Sequence, residues 1–115
     1  MTDQWIYIAA LALAGSSSAT WAASFDCLKA ETSTEKAICE HRVLNDADVK
    51  LVHTYDVIRR LVPMGTRSVI QRDQVKWLQL RDQCHANLDC LQNVYQMRQQ
   101  KLETYMERVY QQGPF

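Results

Sequence analysis

The chain has 115 residues, with 13 basic and 13 acidic side chains, 47% hydrophobic residues, and only 3 Gly and 2 Pro. That is the length of one small domain, and no linker-like composition divides it. A formal net charge of zero removes the electrostatic drive towards phosphate backbones and anionic lipid, and the apolar share is too large for a disordered tail, which sets aside nucleic-acid binding and intrinsic disorder.

Residues 5–14 form an apolar run, and small or polar residues follow over 15–20. This is the pattern of a secretory leader, and the run is about half the roughly 20 residues that a bilayer-spanning helix needs. The Met1-Thr2-Asp3-Gln4 start lacks the Lys or Arg that a leader normally carries. Removal after Ala22 puts Thr20 and Ala22 at the small-residue positions, whereas removal after Ala23 puts bulky Trp21 at one of them. The expected mature chain is therefore 23–115. Ser24-Phe25-Asp26 ahead of Cys27 is not a lipidation sequence, so no stable membrane anchor is expected after the leader is removed.

Export changes how the cysteines are read, because an oxidising compartment turns an even number in a short chain into a disulfide framework. Cys27, Cys39, Cys84 and Cys90 all fall in the mature part. Three pairings exist, and local closure favours Cys27 with Cys39 and Cys84 with Cys90. On the chain-entropy model each bridge contributes about 2–3 kcal/mol. Zinc is the rival chemistry, since Cys39, His41, Cys84, His85 and Cys90 are all ligand types. The spacing lacks the paired two-residue gaps of structural zinc modules, and no metal is expected.

Helix signals follow in chain order. Thr32-Ser33-Thr34-Glu35 reads as a capping box that opens a short helix over 33–41. Leu44, Ala47, Leu51, Tyr55, Ile58 and Val62 step by three and four, a stripe on a second helix over 45–61 that Pro63-Met64-Gly65 ends. A third helix over 66–83 places Ile70, Gln74, Trp77, Leu78 and Arg81 along one face. After the turn between Cys84 and Cys90, Leu91, Val94, Tyr95, Arg98, Leu102, Tyr105, Met106 and Val109 mark a fourth helix that ends near 110. Four helices with short connections predict an all-α, four-helix, disulfide-stapled bundle built around a hairpin of the third and fourth helices, with the second packed across them.

Catalytic constellations are thin. Glycosidase chemistry needs two carboxyl groups flanking a cleft, one with a raised pKa. Glu31, Glu35, Glu40, Asp46 and Asp48 cluster in sequence, but acids near helix starts ordinarily cap and solvate. No serine sits in a Gly-x-Ser-x-Gly elbow, and the adjacent Cys84 and His85 lose their thiol–imidazole pairing once Cys84 is oxidised. The chain is expected to be non-enzymatic and to need no cofactor.

Two blocks carry a family resemblance. The first is Phe25-Asp26-Cys27, Lys29-Ala30, Glu35-Lys36-x-Ile38-Cys39, then Leu44, Asp48, Leu51 and Tyr55. The second is Gln71-x-x-Gln74-x-x-Trp77-Leu78-x-x-Arg81-Asp82-x-Cys84, then Cys90-Leu91-x-x-x-Tyr95-x-x-Arg98. Together they resemble the LprI-type lysozyme-inhibitor N-terminal domain over about residues 25–102, leaving the tail 103–115 outside. The resemblance implies an exported binding protein, periplasmic or secreted, whose protein partner is a lysozyme or another envelope-targeting hydrolase. An immunity-type protein or an envelope adaptor is the alternative.

Trp77 and Leu78 are expected in the core. Arg81, Asp82, Tyr95 and Arg98 sit on core-facing stripes, where a guanidinium must find acceptors, and Glu35 and Asp48 are the expected partners in a structural ion-pair network. Inhibition would require a rigid, cationic tip, for which Lys29 in the first cysteine loop and Arg67 beside the open turn are the candidates. Tyr105, Met106, Val109, Tyr110 and Phe115 in the tail supply apolar material for a partner or a homodimer if they are exposed.

Overall fold

The computed structural model describes residues 23–113. They form a 3-10 turn, Cys27–Lys29, and four helices: α1 (Ser33–Glu40), α2 (Arg42–Leu61), α3 (Met64–Asp82) and α4 (Leu88–Gln112). Among the described residues there is no strand. The leader expected over 1–22, and Phe115, lie outside the described residues.

Local chemistry accounts for most helix ends. Thr32 caps α1 through a reciprocal box: the Glu35 amide donates to Thr32 Oγ1 at 3.0 Å, and the Thr32 amide donates to Glu35 Oε1 at 3.1 Å. His41 ends α1 and begins α2 with extended backbone and no side-chain cap bond, so α2 starts at Arg42, earlier than its apolar stripe indicates. Pro63 ends one helix and opens the next. It is the N-cap of α3, and its carbonyl takes the Arg67 amide at 2.8 Å. Asn87 caps α4 through its side chain, which accepts from the Cys90 amide at 2.9 Å.

The disulfides join Cys27 to Cys39 and Cys84 to Cys90, with Cα separations of 5.9 and 5.6 Å. The second closes the turn between α3 and α4, where His85 takes the left-handed conformation at φ 54°. Two structural disulfides belong to an oxidising compartment.

Contacts between helices set the topology. Asp48 meets Tyr95 and Thr54 meets Gln99, so α2 and α4 run parallel. Trp77 donates to the Val94 carbonyl and Arg98 to the Ile70 carbonyl, so α3 runs antiparallel to α4. The result is an up-down-up arrangement of three long helices. The α3–α4 hairpin is present, but the most intimate packing is between α2 and α4. The short α1 closes one end, where Thr34 Oγ1 donates to the His85 carbonyl at 2.9 Å.

The core contains Ile38 from α1, Leu44, Leu51 and Ile58 from α2, Ile70 and Trp77 from α3, and Leu91, Leu102 and Val109 from α4. Each fully buried aliphatic side chain contributes about 1.5–3 kcal/mol. Leu78 departs from expectation and is 37% exposed, because one residue advances a helix by about 100° and carries it off the face that buries Trp77. In the tail Val109 is buried, Tyr105 and Met106 are half-buried against the core, and Tyr110 is exposed. This part of α4 shares a groove with Val62 and Pro63 at the α2–α3 turn rather than packing on α1.

Candidate functional site

Two features hold many of the residues singled out by sequence: a buried polar cluster between the long helices, and a cysteine-tethered surface beside α1.

Asp48 projects from α2 and is 2% exposed. Its Oδ1 accepts from the Tyr95 hydroxyl at 2.7 Å, and its Oδ2 accepts from the Ser24 amide at 2.8 Å and from the Ser24 hydroxyl. Tyr95 meets Trp77 edge to face, with centroids 5.0 Å apart. The Trp77 indole donates to the Val94 carbonyl at 3.0 Å. Arg81 lies 6.0 Å from the Trp77 ring centroid, and its Nε and Nη2 donate to Asp82 Oδ1 at 3.0 and 2.9 Å. Burial pushes the Tyr95 hydroxyl well above its ordinary range, and Asp48 beside it adds to the rise. For Arg81, burial works downwards, but Tyr95 and Asp82 outweigh it and hold the guanidinium above its ordinary value.

The expected network is therefore redrawn. Arg81 bonds the neighbouring Asp82, not Glu35 or Asp48. Glu35 is occupied by the cap of α1, where the Thr32 and Glu31 amides hold its carboxyl below the usual range. Arg98 stands apart from the cluster: its Nε donates to Gln74 Oε1 at 2.9 Å and its Nη2 to the Ile70 carbonyl at 3.3 Å, and burial lowers its pKa. An arginine fork on a helix stripe can be met by a neighbouring carboxylate, an amide or a carbonyl, and helix periodicity does not distinguish them. Ser24 and Gln74 complete these contacts. Gln74 was visible on the α3 stripe, but Ser24 precedes every helix and gave no periodic signal.

On the surface, Lys29 is exposed at the end of the 3-10 turn and Leu28 beside it is 77% exposed. Asp26 caps this turn through the Leu28 amide at 3.0 Å, and the Cys27–Cys39 bridge fixes it to α1. Arg67 differs from expectation. It lies in the first turn of α3, half-buried, with a buried Nε that has no hydrogen-bond partner among the described residues, so it is not an extended cationic tip.

Remaining candidates have plain locations. Glu40 and Asp46 border a shallow groove with Arg42 and Lys50, while Asp48 lies inside the bundle. A groove of about 510 Å³ between α2 and α4 is lined by Val43, Ala47 and Lys50 on one side and by Gln92, Gln96 and Gln99 on the other. Among the described residues no group of three or more His, Cys, Asp or Glu side chains is placed to hold a metal ion. No described helix is long and apolar enough to cross a membrane. Compared with protein-family models, curated proteins and solved structures, the chain has no significant match.

Proposed function

We propose that the chain is an exported, periplasmic binding protein of the LprI type that inhibits a lysozyme by seating its disulfide-held turn in the enzyme's glycan cleft. The observation that carries this reading is the 77% exposure of Leu28 on a three-residue turn held by the Asp26 cap and the Cys27–Cys39 bridge. An apolar side chain held out by a cap and a crosslink has already lost the conformational entropy that a flexible loop would lose on binding. Lys29, next to it, supplies a cation for a cleft whose working groups are carboxylates. The reading joins this turn to the sequence resemblance across residues 25–102.

The test is inhibition of chicken-type and goose-type lysozymes by the oxidised mature protein. Sub-micromolar inhibition is expected, and Leu28→Asp with Lys29→Glu should weaken it by about 2 kcal/mol or more while leaving the melting temperature unchanged. Absence of inhibition in both enzyme classes removes the reading. A second reading, an adaptor or immunity-type protein, is favoured by a different observation. Leu61, Met64 and Tyr110 are exposed apolar residues at the opposite end, around the α2–α3 turn and the end of α4. Capture of an envelope protein that depends on Met64 and Tyr110, and not on Leu28, would select it.

A further inference from the structure

Asp48 is 2% exposed, yet among the described residues its hydrogen bonds come from neutral donors: the amide and hydroxyl of Ser24 and the hydroxyl of Tyr95. Among the described residues it forms no ion pair within 4.0 Å. The titratable group facing it from α4 is Tyr95. Arg81 of α3 interacts with the Tyr95 side chain and is bonded to Asp82, so it touches Asp48 only by way of Tyr95, and Glu35 of α1 is turned to its own cap. A buried carboxylate without a cation is costly, because its desolvation is not offset by a charge of opposite sign.

The segment that reaches Asp48 is the one that leader removal converts into a chain end. Hydrolysis of the Ala22–Ala23 bond consumes one water. The hydroxyl goes to the Ala22 carbonyl carbon, a hydrogen goes to the Ala23 nitrogen, and the new acid gives its proton to the new amine. The leader departs as a carboxylate and Ala23 carries an α-ammonium. One residue separates the Ala23 and Ser24 nitrogens, a distance of at most about 4 Å, and the Ser24 nitrogen lies 2.8 Å from Asp48 Oδ2. Ala23 itself packs into the core cluster.

We propose that the α-ammonium created by leader removal becomes the cationic partner of Asp48, so that maturation completes a buried ion pair and fastens residues 23–26 to α2. The proposal rests on the export reading and not on lysozyme inhibition, and the two fail separately. Its test begins with the intact mass of protein recovered from the periplasm, which should correspond to a start at Ala23. The mature chain is then made by semisynthesis with a free amine and with an Nα-acetyl cap. Acetylation should lower the melting temperature by about 4–8 °C, and Asp48→Asn should abolish that difference. If Asp48→Asn does not fold, reactivity replaces it. The Ala23 amine of the folded protein should react with an amine-directed reagent about tenfold or more slowly than the amine of an Ala-Ser-Phe-Asp peptide. A retained leader, a start beyond Ser24, equal melting of the two forms, a difference that survives Asp48→Asn, or peptide-like reactivity would each overturn the proposal.

Discussion

Arg98 is a charged group that the fold keeps without a close carboxylate. It is buried, it donates to Gln74 and to the Ile70 carbonyl, and among the described residues it forms no ion pair within 4.0 Å. Desolvation of the guanidinium opposes folding, while the bonds to Gln74 and to the carbonyl support it. Arg98→Met keeps the long apolar stem but leaves Gln74 Oε1 buried without its donor, so a loss of about 1–3 kcal/mol is expected. Adding Gln74→Leu removes the orphaned acceptor, and the double variant should recover most of that loss. Urea unfolding of the four proteins of this cycle measures the coupling. Purely additive losses would mean that the pair does not act as a unit.

Helices record how far local signals reach. The Thr32–Glu35 box and the three-and-four spacing of Leu44, Leu51 and Ile58 are short-range patterns, and they foretold α1 and α2 because caps and stripes are satisfied within a turn or two. His41 has no cap bond to advertise it, so the start of α2 was not visible, and Pro63 was legible as a stop but not as the start of α3. The polar cluster was legible only as a set of residues. Which acceptor Arg81 takes, and that Ser24 reaches Asp48 from outside the helices, depend on tertiary placement that no periodicity encodes. The cap of α1 also carries a pH signature. Glu35 has a folded pKa below its ordinary 4.5, so it stabilises the fold fully above the unfolded value and loses that contribution as pH falls through the folded value. Glu35→Gln keeps the box geometry without the charge. At pH 7 the native protein should be the more stable by about 0.3–1 kcal/mol, and thermal melts should show the gap closing below pH 4.5. A gap that holds constant into acid would mean that the charge at this cap contributes nothing.

Across the whole molecule the covalent and non-covalent restraints are unevenly placed. Both disulfides lie at the end closed by α1: one bolts the 3-10 turn to α1, the other closes the α3–α4 turn, and Thr34 ties α1 to that turn. At the other end, where Val62 and Val109 are buried near the α2–α3 turn, the described residues form no crosslink. Reduction therefore should not soften the bundle uniformly. The α1 end loses crosslinks that contribute about 2–3 kcal/mol each, whereas the parallel α2–α4 pair keeps Leu51, Ile58 and Leu102 fully buried. Hydrogen exchange after mild reduction should show amides of α1 and the first turn of α4 exchanging at least tenfold faster, with the middle of α2 and α4 nearly unchanged. The same experiment bears on binding, because Leu28 and Lys29 stand on the part predicted to loosen. A reduced protein that keeps its α2–α4 protection but no longer engages its partner would place recognition at the crosslinked end. Equal acceleration along all four helices would show instead that the disulfides stabilise a single cooperative unit and that no end of it is separately held.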